Sequence, residues 1–214
     1  MTRRSTPLPS GLARMPLRVF RPQDVAHVYA FPRPELARLA DAGILHRVAR
    51  GYYAVVPPEY AGSTWRPGLE AAAAGVAGAI YGASNAVVMG VSAARLHGVL
   101  PRALATAVVA VPHQHRPIDL VDRDAVIRFV QRDTEQLDAE LVSTQIGEVL
   151  VTTPEQTVLD LAKRTNLGDA AVDVPQAIAS LYRRSDPARL DDLARAQRLR
   201  SALERARSAI EVYA

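Results

Sequence analysis

The alternation of hydrophobic and polar positions predicts four elements in the first quarter of the chain. Apolar residues at helical spacing predict a short helix over 25–28 and a second helix over 35–42. Alternating β-branched and aromatic residues then predict two strands, 44–48 and 52–56, on either side of a tight reversal at 49–51. A helix, a turn, a second helix and a two-stranded hairpin follow one another in the order of a winged helix-turn-helix.

The pattern in the rest of the chain predicts a mixed α/β unit with a helical C-terminus. The predicted helices cover 69–80, 92–97, 174–183 and 187–213, and the predicted strands cover 106–111, 126–130, 141–145 and 148–152. A further helix is expected to start with Thr153 as N-cap, Pro154 at its first position and Gln156 closing a capping box. Residues 71–94 are uncharged but mostly small, so we expect two short buried helices there and no membrane span.

Proline and glycine separate the two units and set the expected domain boundaries. They predict a linker at 58–67, which places a winged-helix domain at 1–57, including a loose arm at 1–17, before a second domain at 68–214. The expected fold class is therefore α+β, an N-terminal winged helix-turn-helix followed by a mixed α/β domain.

Composition excludes several classes of protein. A 214-residue chain with 49% hydrophobic residues has enough apolar material for a core, and without cysteine it forms no disulfide scaffold, Cys-ligated metal centre or thiol nucleophile. No apolar segment follows the N-terminal arginines, so we expect no secretory signal and a cytoplasmic protein.

Positive charge is concentrated at the N-terminus. The first 60 residues hold nine arginines and four acidic residues, a net charge of +5, whereas the remaining residues carry −1. A localised positive end favours a polyanion partner such as double-stranded DNA. The alternative is an ordinary solvated basic surface, because 25 of the 26 basic residues are arginine.

The winged-helix order places four arginines where they can contact DNA. The second predicted helix presents Arg33 and Arg38 to a major groove, and the hairpin holds Arg47 and Arg50 beside phosphates. The alternative is that these are common surface arginines.

Weaker candidates for DNA contact flank those four arginines. Arg18 and Arg21 are expected to contact the DNA backbone. Tyr52 and Tyr53 point to opposite faces of their strand, so one packs on the helices and the other is available to DNA. The alternation leaves open which one, and Tyr52 is taken as the candidate. Three arginines of the arm are placed to reach a minor groove: Arg3, Arg4 and Arg14.

No combination of side chains predicts catalysis or a bound metal. His113 and His115 have the spacing of metal ligands on a strand but no third ligand. Asp122 and Asp124 have the spacing of a magnesium site, but no Gly-Ser on a strand–helix turn precedes them, as a nucleotidyltransferase would need. A PD-(D/E)xK nuclease needs a lysine on a strand, and the sole lysine, Lys163, falls in a predicted helix. The sequence also has no nucleophile elbow and no phosphate-binding loop. We therefore expect no enzyme activity, no metal and no cofactor.

Several other polar positions are interpreted as structural. His97 is expected to end a helix and bond nearby carbonyls, and Glu155 and Asp160 are expected to be capping and helix-surface charges. The apolar stripe of the last predicted helix is most simply core, with a protein interface as the alternative. The arginines of that helix are a second candidate surface for DNA: Arg195, Arg198, Arg200, Arg205 and Arg207.

Three segments resemble the AbiEi-type antitoxins. Residues 39–53, LADAGILHRVARGYY, resemble the wing signature of that family. Residues 92–98, SAARLHG, resemble the start of its second domain, and residues 151–162, VTTPEQTVLDLA, are similar to its Thr-Pro-Glu-x-Thr-x-x-Asp-Leu helix. The match covers roughly residues 18–185, and the three segments occur in the same order as in the family.

The resemblance implies the antitoxin of a type IV toxin–antitoxin pair. Such an antitoxin binds repeats in its own promoter through the winged helix, represses its operon and counteracts a nucleotidyltransferase-like toxin, a role linked to its second domain. Because winged helices usually bind repeated DNA sites as paired copies, we expect two protomers per operator. The alternative is a stand-alone winged-helix transcriptional regulator whose second domain senses a ligand or mediates oligomerisation.

Overall fold

A computed structural model describes residues 10–13 and 15–211 of the chain. Its helices are α1 (Ser10–Ala13), α2 (Pro32–Asp41), α3 (Leu69–Tyr81), α4 (Gly90–Leu96), α5 (Pro154–Lys163), α6 (Val174–Tyr182), α7 (Pro187–Ala196) and α8 (Arg200–Glu211). Its strands are β1 (Val19–Phe20), β2 (Leu45–Ala49), β3 (Tyr52–Val55), β4 (Val87–Val88), β5 (Thr106–Val111), β6 (Ile118–Asp119), β7 (Val126–Gln131), β8 (Ala139–Thr144) and β9 (Gly147–Thr152). Among the described residues, no helix is both long and apolar enough to cross a membrane.

A small antiparallel sheet in the order β1-β3-β2 carries the N-terminal unit. One face of this sheet packs against α2 around Phe20, Leu36, Leu39 and Tyr53, which form part of a small core. The other face belongs to the main core of the molecule, because Val19, Val48 and Ala54 are buried there. Both faces of the small sheet are therefore covered.

The larger sheet is mixed and runs in the order β6-β7-β5-β4-β9-β8. The pairs β5–β7 and β4–β9 are parallel, and β4–β5, β6–β7 and β8–β9 are antiparallel. All six residues of β5 are buried, as expected for a central strand enclosed on both faces. The strand at Thr106–Val111 is therefore confirmed with the predicted bounds.

The C-terminal helices pack on α5, which itself contacts β9. Four residues of the predicted apolar stripe are buried: Leu190, Leu199, Leu203 and Ala206. This confirms the assignment of the stripe to the core. The prediction of one helix over 187–213 is wrong, because Arg198 adopts a left-handed φ of 56° and separates α7 from α8.

Two smaller predictions also need correction, and strand β4 was not among the predicted strands. The helix expected over 25–28 is a 3₁₀ helix at Pro22–Val25. The segment from residue 10 is packed where a loose arm was expected through residue 17, because Leu12 and Leu17 are buried.

The predicted start of α5 is confirmed, but its capping box is not. The Thr153 hydroxyl accepts a hydrogen bond from the Gln156 backbone N–H at 3.3 Å, as an N-cap does. The Gln156 side chain turns inward and bonds Asp160 and Gln197. The prediction of surface charges on this helix is also wrong: Glu155 and Asp160 are only 7% and 3% exposed. Both carboxylates are enclosed by tertiary contacts, which the pattern of apolar positions along the helix does not predict.

Candidate nucleic-acid interface

A concave surface of about 900 Å³ lies between the first turn of α2 and the β2–β3 hairpin. We call it the arginine groove, because four arginines and two exposed or half-buried aromatic residues are among its lining residues: Arg21, Arg33, Arg47, Arg50, Phe31 and Tyr52. These side chains come from three separate stretches of the chain, and the small core holds the three stretches together.

The hairpin exposes its arginines because its register shifts once. Ala49 pairs with Tyr52, and the register is irregular between Arg47 and Ala49. The consecutive residues Val48 and Ala49 are consequently both buried, whereas Arg47 and Arg50 are exposed on either side of them. Gly51 takes a φ of 86° in the two-residue reversal, a conformation that favours glycine.

Three arginines of the groove have no competing partner in the described part of the molecule. Arg33, Arg47 and Arg50 are exposed, and no described side chain or carbonyl pairs with them. Arg21 differs, because its Nε and Nη2 donate to the Asp24 carboxylate at 3.1 and 3.0 Å and its backbone N–H donates to the same group. The groove therefore presents three available guanidinium groups and a fourth that is locally neutralised.

Two of the seven predicted DNA contacts lie outside the groove. Arg38 donates from Nε to Glu35 at 3.1 Å, and this hydrogen bond together with the arginine charge holds the pKa of the Glu35 carboxyl below its ordinary value. Arg18 follows Leu17 in an unusual pair of left-handed residues, with φ of 50° and 53°. Arg3, Arg4 and Arg14 lie outside the described residues.

The structure distinguishes the two tyrosines that the strand alternation left open. Tyr53 is 8% exposed and packs in the small core with Leu36 and Leu39. Both tyrosines line the groove, but Tyr52, beside the main core, is only half-buried and is the more exposed of the two. Burial raises the pKa of the Tyr52 phenol, so the group is a neutral hydrogen-bond donor at neutral pH.

Phe31 is the groove residue that the sequence pattern missed. It precedes α2, and its side chain is 77% exposed, more than most large apolar residues tolerate. In the sequence it belongs to a Phe-Pro-Arg-Pro stretch that is typical of a turn, where side-chain exposure cannot be deduced from periodicity.

The back of the hairpin is joined to the larger sheet by a polar cluster that we call the joint. Ala49 forms a bridge with Leu120, and the Val121 N–H donates to the Val48 carbonyl at 3.0 Å. His46 lies 2.6 Å from the Asp122 carboxylate, which also accepts from Arg123 at 2.9 Å. The hairpin that carries Arg47 and Arg50 is therefore fixed to the second part of the molecule.

Asp122, one of the two carboxylates considered as magnesium ligands, is instead bonded to His46 and Arg123 in the joint. Burial works to raise the pKa of Asp122, but the hydrogen bonds from Arg123 and His46 and their charges outweigh it and hold the pKa below its ordinary value. Asp124 is exposed. Within the described residues, no three histidine or acidic side chains are grouped as metal ligands.

Two further sequence interpretations concern the second unit. His97 follows the last residue of α4, and its Nε2 lies 2.8 Å from the Thr152 carbonyl, which confirms a helix-terminal histidine satisfied by a carbonyl. Three of the C-terminal arginines are engaged internally: Arg195 with Asp192, Arg205 with the Ala162 carbonyl, and Arg207 with Asp191 and Glu204.

Comparison with solved structures shows the fold of a known protein. The crystal structure of the RV2827C protein from Mycobacterium tuberculosis is similar with a TM-score of 0.62 and 20% sequence identity, over 94% of this chain and 74% of that chain. At this identity the likeness concerns the fold alone. No curated protein is similar enough in sequence to be matched to the chain.

Comparison with protein families gives two matches that follow one another along the chain. The family described as "Transcriptional regulator, AbiEi antitoxin" matches residues 12–56, the part that contains the arginine groove. The family described as "AbiEi antitoxin C-terminal domain" matches residues 85–212, more than half of the chain. The protein therefore belongs to the AbiEi antitoxin and transcriptional regulator family.

Proposed function

We propose that the protein is the antitoxin of a type IV toxin–antitoxin pair and that it represses its own operon in the cytoplasm. On this proposal residues 1–57 form a winged-helix DNA-binding domain, 58–67 a linker, and 68–214 the domain that counteracts a nucleotidyltransferase-like toxin. The two family matches, at 12–56 and 85–212, support this division.

The arginine groove is the observation that carries the DNA-binding part of the proposal. Its exposed guanidinium groups suit the phosphates and guanine edges of a duplex. In a winged helix, α2 is the recognition helix, so Arg33 faces base edges, and the β2–β3 hairpin is the wing, so Arg47 and Arg50 face phosphates. Arg21 and Tyr52, which also line the groove, complete the contact, Arg18 contacts the DNA backbone beside it, and Arg38 faces the major groove from α2.

A gel shift on the DNA upstream of the gene tests this part. Labelled upstream DNA is titrated with the protein at 50 and 200 mM salt, with unlabelled specific and scrambled competitors. We expect retention that only the specific competitor removes, and a fall in the logarithm of affinity of about 0.9 per contacted phosphate for each unit of log salt. Equal competition by scrambled DNA, or no retention, would contradict the repressor.

The spacing of protected sites tests the expected stoichiometry. If two protomers bind repeated half-sites, footprinting of the upstream DNA shows two protected segments whose centres lie about one helical turn, or a multiple of it, apart. A single protected segment occupied by one protomer would contradict this arrangement.

Neutralisation of the toxin tests the other part and separates the two function hypotheses. The full-length protein is expressed with the toxin encoded beside it, and growth is followed. Rescue of growth by the wild type and by an Arg33→Ala/Arg50→Ala variant would support antitoxicity that is independent of DNA binding. If neither the wild type nor the variant rescues growth, although the wild type binds the upstream DNA specifically, the stand-alone transcriptional regulator is favoured.

A further inference from the structure

Phe31 exposes an apolar ring in a groove whose charged lining residues are all arginines. The ring is 77% exposed and belongs to neither hydrophobic core of the described residues. An exposed phenylalanine forgoes the stabilisation that burial of its ring would supply. The groove therefore contains apolar surface that the fold of the chain alone does not use.

The backbone keeps this ring at the start of α2. Phe31 precedes Pro32, which disfavours a helical conformation at residue 31, and its φ and ψ are −128° and 76°. It occupies the N-cap position, where Ser, Thr, Asp or Asn would satisfy a free N–H of the first turn, and its side chain makes no such bond. The position therefore lacks both a capping group and a buried side chain.

The partner that suits this ring is an apolar group beside a polyanion. Arg33, Arg47 and Arg50 give the groove its positive charge, so the partner is negatively charged overall. In the major groove of a DNA duplex, the apolar group on a base edge is the C5-methyl of thymine, and phenylalanine is one of the side chains that contact it. The first residues of a recognition helix are those that approach base edges.

We propose that Phe31 is a specificity-determining residue that contacts the methyl group of a thymine in the DNA site. The proposal rests on the proposed DNA-binding function. The thymine lies beside the base or phosphate held by Arg33, because the two residues are separated by one position at the start of α2. The ring therefore adds preference for a thymine beside the base edge or phosphate that Arg33 contacts.

Replacement of thymine by uracil tests this contact, because it removes the methyl group and preserves base pairing. Each thymine of the protected upstream DNA is changed singly to deoxyuridine, and the Kd is measured for the wild type and for Phe31→Ala. We expect one position, or its equivalent in each repeat, at which loss of the methyl weakens wild-type binding about fourfold. The same substitution leaves the Kd of Phe31→Ala unchanged.

Controls separate the methyl contact from other roles of the ring. Val172→Ala shortens an apolar side chain that is 90% exposed outside the groove, and its uracil profile is expected to match the wild type. Thermal unfolding and light scattering of Phe31→Ala verify an unchanged fold and mass. A change of mass in that variant would assign the ring to a protein interface and overturn the proposal.

The remaining outcomes are also decisive. If Phe31→Ala binds as tightly as the wild type, or weakens specific and scrambled DNA equally with an unchanged uracil profile, the ring does not recognise a methyl group. In either case specific binding by the wild type leaves the repressor intact while the role of Phe31 is rejected. Absence of any specific binding by the wild type would reject both.

Discussion

Arg50 and Arg38 differ in their surroundings although both are exposed arginines of the N-terminal unit. Arg50 lines the arginine groove and has no partner among the described residues. Arg38 lies outside the groove and pairs with Glu35. An unpaired guanidinium releases a counterion from DNA when it binds a phosphate, whereas a paired one first has to exchange its carboxylate partner.

We therefore expect Arg50→Ala to abolish specific retention of the upstream DNA at 200 mM salt, with the same result for Arg33→Ala. At lower salt, where Arg50→Ala still binds, the salt slope should fall by about 1 relative to the wild type. Arg38→Ala should have a smaller effect, and Arg116→Ala, an exposed arginine between β5 and β6 and outside the groove, should have none. Normal binding by the groove variants with an intact fold would reject these residues as contacts.

The burial and the pKa of Asp160 depend on residues that are distant in the chain. Its side chain is enclosed, and one carboxylate oxygen accepts from Arg132 at 2.9 Å and from Gln156 at 3.3 Å. Burial raises the pKa of Asp160 above its ordinary value, and the neighbouring Arg132 charge opposes that rise. The Asp160 carboxylate and the Arg132 guanidinium therefore compensate each other's charge in a largely buried position.

Asp160→Ala should lower the free energy of unfolding by about 3–5 kcal/mol, because it leaves the Arg132 guanidinium without its carboxylate. Asp191→Ala is the control, since it removes a largely exposed ion pair with Arg207 and should cost no more than about 1 kcal/mol. Urea unfolding followed by circular dichroism measures both. Equal losses would show that enclosure of Asp160 contributes nothing.

At the scale of elements, the break between α7 and α8 is a Schellman motif with arginine where glycine is usual. The Leu199 N–H donates to the Ala194 carbonyl at 2.7 Å, and the Arg198 N–H donates to the Arg195 carbonyl at 3.3 Å. Arg198 between them has a φ of 56°. The two bonds satisfy carbonyls at the end of α7 and turn the chain into α8.

Arg198→Gly should raise the free energy of unfolding by about 0.5–1 kcal/mol, because glycine adopts the left-handed conformation without the steric cost that a side chain carries. Arg195→Gly removes the same charge from within α7 and should instead lower stability by about 1 kcal/mol. Urea unfolding of the two variants gives the comparison. A loss of stability in Arg198→Gly would show that the side chain, which is exposed, makes a compensating contact.

At the scale of the whole molecule, α3 is the surface on which the N-terminal unit rests. A Cβ added to Gly75 in α3 would overlap Cγ2 of Val19 in β1 and lie 3.0 Å from Cδ1 of Ile146. The missing side chain allows the small sheet to approach the helix closely. This contact joins the groove-bearing unit to the main core.

Gly75→Ala should lower the free energy of unfolding by about 1–3 kcal/mol because of overpacking, although alanine favours a helix by up to about 1 kcal/mol over glycine. Val19→Ala should cost less in the Gly75→Ala background than in the wild type, since the smaller side chain relieves the overlap. A double-mutant cycle by urea unfolding measures this coupling. Strict additivity would mean that the two residues do not meet.

The joint makes the attachment of the hairpin sensitive to acid. The pKa of Asp122 is held below its ordinary value, so its carboxylate stabilises the folded state above the unfolded pKa of about 4. This contribution is lost as the pH falls from about 4 through the folded-state pKa. Arg123 and His46 face the carboxylate and keep it ionised, and the Arg66 guanidinium donates to the Asp122 backbone carbonyl.

Asp122→Asn should lower the free energy of unfolding by about 1.5–3 kcal/mol at pH 7, because the hydrogen bonds to a charged acceptor are weakened. The difference from the wild type should shrink as the pH falls from 4 to 2.5. Asp124→Asn, an exposed neighbour, should follow the wild-type curve. A difference that stays constant with pH would exclude Asp122 as the titrating group.

Elements whose signals are local can be predicted from the amino-acid sequence alone. The apolar β-branched run at 106–111, the Ala-rich helix that begins at Leu69, the hairpin of β2 and β3 and the Thr153 N-cap all follow from residues that are neighbours along the chain. Local sterics and capping energies act on a few consecutive residues, so the pattern is sufficient for them.

Features that depend on residues far apart in the chain became apparent only in the folded molecule. The tertiary structure enclosed Asp160 beside Arg132, ended α7 without a glycine, and joined the hairpin to the larger sheet through His46 and Asp122. It also placed Phe31 among arginines that lie up to nineteen positions away in the chain. Burial and ion pairing arise from contacts that form only when distant segments meet, and periodicity along one segment contains no record of them.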